Sequence, residues 1–257
     1  MEPFFNHKMI HFSNNIREKI NKYNKEITHS QSKLLVIIAC HLDKEIKLTT
    51  LLNNFNLLKN ENIDFIIIYS KNQIFNEKLY SYKFENTKII EFDNNFLFDF
   101  GKWKHVLNSE NISSYQFITF TNDYFYLKNN ISYYFNYLLF NKPDFFAFSS
   151  SNEYIYHYQT YLFTIKKDKI NIFRNFIETF KNNNCHNLLT KIEISLGIIF
   201  VSKDCFVDLG HLDINNKKNI FFHNKVLYKY LYSNDILPII KIKSLNRKTK
   251  IFNNIFI

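Results

Sequence analysis

The sequence predicts an α/β fold: a mostly parallel central sheet flanked by helices, in a single domain. Two observations carry that expectation. Residues 34–40, 65–69 and 116–120 are short apolar runs of the kind that strands covered on both faces require. Segments with helical spacing of apolar residues separate them, and a strand-helix-strand rhythm builds parallel, helix-covered sheets of nucleotide-binding type. At 257 residues the chain is long enough for one large core.

In order along the chain, residues 1–33 are polar and basic, with Ile16, Ile20, Tyr23 and Ile27 at helical spacing, and read as a leading amphipathic helix. Residues 34–40 form the first strand and end in His41-Leu42-Asp43. Leu48, Leu51, Leu52, Phe55 and Leu58 mark the helix that follows, and residues 65–69 and 88–92 two further strands. Phe98-Asp99-Phe100-Gly101-Lys102-Trp103 opens a helix, either with Asp99 as its N-cap or with Asp99 and Lys102 facing a nucleotide, because helix N-termini attract phosphates.

Residues 116–120 then deliver Thr121-Asn122-Asp123 to a strand end. Residues 131–140 read as an aromatic helix stopped near Pro143, and 144–148 as a strand running into the polar loop 149–153. Residues 154–163 alternate aromatic and polar side chains, as a half-buried strand lining a cleft does. An amphipathic helix is expected over 170–180, and a helix start at 192–197 that places Glu193 near the positive end of its dipole. His223 precedes a helix through Tyr228 and Leu231, and Pro238 makes residues 236–241 an edge segment. The expected division is 1–33 as an N-terminal helical segment, 34–245 as the α/β domain and 246–257 as a basic tail.

Composition narrows the class. Hydrophobic residues make up 46% of the chain, which excludes general disorder. Cys40, Cys185 and Cys205 are widely spaced and fit reduced thiols rather than a disulfide framework or a zinc site. With no signal peptide and no apolar run of roughly 18 residues, the expected location is the cytoplasm. The net charge of +10 is spread along the chain without a nucleic-acid-binding signature, so no nucleic-acid partner is expected. A distributed positive field suits a sugar nucleotide or peripheral contact with an anionic membrane surface.

In an open α/β sheet, ligands bind at the carboxyl ends of the strands. Asp123, with the Asn122 amide beside it, can hold a hard divalent cation such as Mg²⁺ or Mn²⁺, and through it a diphosphate. His157 and Gln159 share strand parity and face one side, where they can meet sugar hydroxyls, and Tyr156 can stack on a sugar ring. Alternatively, the pair belongs to a satisfied core.

The ordered series Asp99-Phe100-Gly101-Lys102, residues 115–123, residues 144–153 with His157 and Gln159, Ile192-Glu193-Ile194-Ser195-Leu196, His223 and Pro238-Ile239-Ile240-Lys241 resembles the rhamnan-synthesis family of glycosyltransferases. The match covers roughly residues 34–245. Tyr124, Tyr158, Thr160 and Ile192 depart from the family pattern, which favours Ser, Leu, Ser and Tyr there. The resemblance implies a GT-A-like fold, a nucleoside-diphosphate sugar donor and a glycan or lipid-linked saccharide acceptor, with rhamnose as a candidate sugar and inverting, metal-assisted transfer. It implies Glu193 as the base that deprotonates the acceptor, with Glu153 in the Ser-rich loop as the alternative, and His223 as a late ligand closing the metal site with Asp123. Two other classes compete: a nucleotidyltransferase, which usually carries a Gly-rich phosphate loop that His41-Leu42-Asp43 does not supply, and a non-catalytic basic module binding carbohydrate or membrane.

Overall fold

A computed structural model describes residues 3–24, 33–70, 76–93, 97–152, 155–180, 186–209, 231–233, 236 and 238–241. Its elements are α1 (Pro3–Asn24), β1 (Leu34–Cys40), α2 (Glu45–Leu58), β2 (Ile63–Tyr69), α3 (Asn76–Ser81), β3 (Thr87–Glu91), α4 (Phe98–Ser109), β4 (Phe117–Asn122) and β5 (Phe125–Leu127). They continue with α5 (Ser132–Asn141), β6 (Phe145–Ser151), β7 (His157–Tyr158), β8 (Leu162–Lys166), a 3₁₀ turn at Lys167–Lys169, α6 (Ile170–Glu178), α7 (His186–Leu196), β9 (Lys203–Asp208) and β10 (Ile239–Lys241).

The main sheet runs β3-β2-β1-β4-β8-β6, and β6 also pairs with β7 and β9. The pairs β2–β3, β1–β2, β1–β4 and β6–β9 are parallel, whereas β8 is antiparallel to both β4 and β6. Six strands therefore point the same way, and their carboxyl ends, including Cys40, Asn122, Ser151 and Asp208, line one edge. The mostly parallel expectation holds, with β8 as the reversed strand inside the sheet.

The unbroken apolar runs follow from burial on both faces. Leu34, Val36, Ile38 and Cys40 face one core, built with residues of α1, α2 and α5. Leu35, Ile37 and Ala39 face the other, built with α4, α6 and α7. Trp103 joins α4 to the second core between Phe120 and Phe163, and its indole N–H donates to the Thr121 carbonyl at 3.3 Å. Among the described residues, no helix is long and apolar enough to cross a membrane.

Two expected elements take a different form. The aromatic-polar stretch at 154–163 is not one strand: β7 ends at Tyr158, and β8 starts at Leu162. The chain breaks there because Gln159 and Tyr161 both turn inward to Ser149, whose hydroxyl donates to Gln159 Oε1 at 2.7 Å and lies 2.5 Å from the Tyr161 hydroxyl. Nor does a helix start at Ile192: α7 spans His186–Leu196, so Glu193 stands in its carboxyl-terminal half, away from the positive end of the dipole.

β5 follows directly on Asn122 and Asp123, and α2 holds it in place. Buried Asn54 donates through Nδ2 to the Phe125 carbonyl at 2.7 Å and accepts from the Leu127 amide at 2.9 Å. Antiparallel pairing with β10 covers the other edge of β5. Asn54→Leu strands two buried backbone groups at a cost of roughly 2–5 kcal/mol. Its Tm is expected to fall by roughly 5–15 °C in a thermal melt; an unchanged Tm would show that α2 does not hold this ribbon.

Candidate active site

The site forms where β1 and β4 end side by side, with Ala39 in register with Asn122. Asp123 lies just past β4 and is 1% exposed. Its Oδ2 accepts the backbone N–H of His41 at 2.7 Å. Its Oδ1 is buried and has no hydrogen-bond partner among the described residues. A buried carboxylate oxygen without a donor is costly, because the desolvation of that atom is not offset. Burial pushes Asp123 up to about 7; the Lys47 charge and the His41 amide oppose that rise, and the neighbouring Asp99 adds to it.

Asp99 is not the N-cap of α4. That position belongs to Leu97, which has no side-chain capping bond, and Leu97 and Phe98 are both left-handed, with φ of 58° and 52°. Asp99 instead accepts from Asn122 Nδ2 at 3.0 Å, while Asn122 Oδ1 accepts the Tyr124 amide at 3.1 Å. Asn122 therefore ties the Asp99 carboxylate to the turn that follows β4. Burial raises Asp99 as well; Lys102 and the Asn122 amide pull it down, and Glu193 is close enough for its charge to raise it. Lys102, 1% exposed, stands one helical turn on from Asp99, and its charge also lowers Asp123.

Glu193 is half-buried and accepts from the Thr160 hydroxyl at 2.6 Å. Gly197, just after α7, lets the helix end settle on β7, because a β-carbon there would fall on the Tyr158 ring. The structure thus brings Asp99, Lys102, Asn122, Asp123 and Glu193 to one sheet edge. Gln159 is buried in the Ser149 and Tyr161 network, and the buried His157 ring pairs its Nδ1 with the Ile155 carbonyl at 2.9 Å. Tyr156 is 46% exposed beside them. Glu153 and His223 lie outside the described residues.

Sequence reasoning passed over His41 and Lys47. His41 contributes the backbone N–H that Asp123 Oδ2 accepts, and its Nδ1 is buried without a partner among the described residues. Lys47 donates to the His41 carbonyl at 2.8 Å. The signal that could have found them is position: both follow the carboxyl end of the first strand, where parallel sheets bind ligands.

One atom of this donor set suits a divalent cation. Asp123 Oδ1 fits such an ion, as a buried anionic oxygen without a partner among the described residues. Asp99 is already engaged by Asn122, and among the described residues no cluster of three or more His, Cys, Asp or Glu side chains stands ready to hold a metal.

The buried, raised Asp123 carboxylate has a measurable consequence. A folded-state value above the ordinary carboxylate range means that stability is lost as pH rises from about 4 to about 7, since the unfolded chain ionises first. Asp123→Asn removes that loss. Its Tm is expected to match the parent's near about pH 4 and to exceed it by roughly 2–8 °C near about pH 8. An equal Tm difference at both pH values would contradict the assignment.

No family model matches the sequence, and no curated protein matches it. Among solved structures, the glycosyltransferase GlyE of Streptococcus pneumoniae is similar, with TM-score 0.50 and 12% identity, covering 82% of this chain and 54% of that one. A mannosyltransferase of Pyrobaculum calidifontis, solved with GDP-Man and Mn²⁺, has TM-score 0.43 and 6% identity over 66% of this chain and 56% of its own. A 4-diphosphocytidyl-2C-methyl-D-erythritol synthase of Anaerococcus prevotii has TM-score 0.44 and 10% identity over 63% of this chain and 82% of its own. This chain spans about half the length of the two glycosyltransferases. The mostly parallel, helix-flanked α/β fold described above is therefore one that this chain shares with GlyE.

Proposed function

We propose that the protein is a glycosyltransferase that moves a sugar from a nucleoside-diphosphate sugar to a glycan or lipid-linked saccharide. The observation that supports this most is Asp123: a buried carboxylate at a strand's carboxyl end, costly to the free protein, with one oxygen left for a ligand. Costly buried charge of this kind collects at functional sites. The Mn²⁺ and GDP-Man in the mannosyltransferase structure accord with the reading.

In this reading Asp123 takes the diphosphate through Oδ1 and a divalent ion, Mn²⁺ or Mg²⁺, and His223 is a further ligand. The ion, when bound, offsets charge that builds on the leaving diphosphate. Asn122 holds the Asp99 carboxylate, and Lys102 adds positive charge beside Asp99 and Asp123.

Glu193 is the proposed base. Its charge reaches Asp99, and Thr160 holds one of its oxygens, leaving the other able to accept a proton from an acceptor hydroxyl. A base on the face opposite the leaving group inverts the anomeric carbon. Glu153 is the alternative base. Tyr156, half exposed, is the proposed stacking surface for an acceptor sugar, with His157 and Gln159 behind it. Rhamnose is the donor sugar that the sequence resemblance favours.

A thermal-shift panel of UDP, GDP and dTDP, each with and without Mn²⁺, tests the donor site. One diphosphate at about 100 times its Kd should stabilise the protein by about 2.7 kcal/mol, with Mn²⁺ required for the full effect. No shift with any of the three would refute the donor reading. For the base, Glu193→Gln should lower turnover roughly 10²- to 10⁴-fold with donor affinity kept. If Glu153→Gln alone abolishes transfer, the two glutamates exchange roles.

A further inference from the structure

Lys47 sits in the first turn of α2 with its side chain 5% exposed, and a lysine is seldom buried without partners. Its ammonium pairs with Asp43 Oδ1 at 2.5 Å, donates to the His41 carbonyl at 2.8 Å and to the Tyr124 hydroxyl at 3.4 Å, and lies 4.4 Å from the centre of the Tyr124 ring. The His41 that accepts from Lys47 donates its own N–H to Asp123 Oδ2 at 2.7 Å. Tyr124 is the residue directly after Asp123. Asp123, His41, Lys47 and Tyr124 thus close a ring that ties the loop after β1 to the turn after β4.

The consequence is directional. With Oδ2 held by the His41 amide, Oδ1 is the carboxylate oxygen left for a ligand, and the Asp123 side chain has one orientation. The His41 amide stays in place because Lys47 grips the carbonyl of the same residue. Tyr124 contacts the same ammonium by both ring and hydroxyl.

We propose that Lys47 and Tyr124 are a positioning pair that aims Asp123 Oδ1 at the donor diphosphate. The proposal rests on the donor-site reading above, and two readouts keep the two apart. One is the affinity, by calorimetry with Mn²⁺, for whichever of UDP, GDP or dTDP the parent protein binds, set against the corresponding nucleoside. The other is hydrogen exchange of the His41 amide in the ligand-free protein, which reports the contact with Asp123 directly.

Lys47→Met is expected to weaken the diphosphate roughly tenfold or more, leave the nucleoside within about twofold, and speed His41 exchange roughly tenfold or more. Lys47→Arg, which keeps the charge, should recover most of both losses, and a merely structural lysine would not separate diphosphate from nucleoside. Parental diphosphate affinity or parental His41 exchange in Lys47→Met overturns the proposal. Should Lys47→Met not fold, Tyr124→Ser carries the test, since it keeps the ion pair with Asp43: faster His41 exchange and weaker diphosphate binding support the pair, and no change in either overturns it. If the parent binds none of the three diphosphates, the donor reading fails, and His41 exchange in the variants alone decides whether Lys47 and Tyr124 hold Asp123.

Discussion

The structure turns on how one carboxylate is kept out of water at the end of β4. Asp123 has a single backbone donor on one oxygen and none among the described residues on the other. Left to itself, such a group is better protonated or replaced, since solvation of a charge is worth far more than one amide contact. Lys47 from α2 and Lys102 from α4 draw it down, against burial and the charge of the neighbouring Asp99, which push it up. In the proposed reading, that balance suits a cation and an anionic ligand bound together.

The fold supplies the stage for that balance. Parallel β1 and β4 end at the same level, so the residues after them, His41 and Asp123, meet although they lie 82 positions apart in the chain. The two faces of the sheet then feed different side chains to the same edge. α2 brings Lys47 from one core, and α4 and α7 bring Asp99, Lys102 and Glu193 from the other. Asn54 and the pairing with β10 hold β5, so that the turn at Asp123 is supported on its far side as well.

Much of this was legible in the sequence, for a definite reason. Strands buried on both faces leave unbroken apolar runs, so residues 34–40 and the place of Asp123 just past a strand end could be read directly. The 192–197 segment misled because Ile192-Glu193-Ile194 resembles the start of a helix, whereas α7 begins at His186. Of the two readings open for Asp99, the helix cap fails, because its carboxylate serves Asn122. Lys47 was hard to pick out. It is one of 33 Lys and Arg residues, marked only by its place after the first strand, and the fold brings it to His41 and Tyr124.

In the proposed reading, Asp123 serves a diphosphate rather than the fold. Calorimetric titration of Asp123→Ala with the nucleoside diphosphate that the parent binds, alongside the matching nucleoside, addresses it most directly. The account predicts roughly tenfold or greater loss of diphosphate affinity, nearly unchanged nucleoside affinity and a cooperatively folded variant. Parental affinity for the diphosphate in that variant would contradict it.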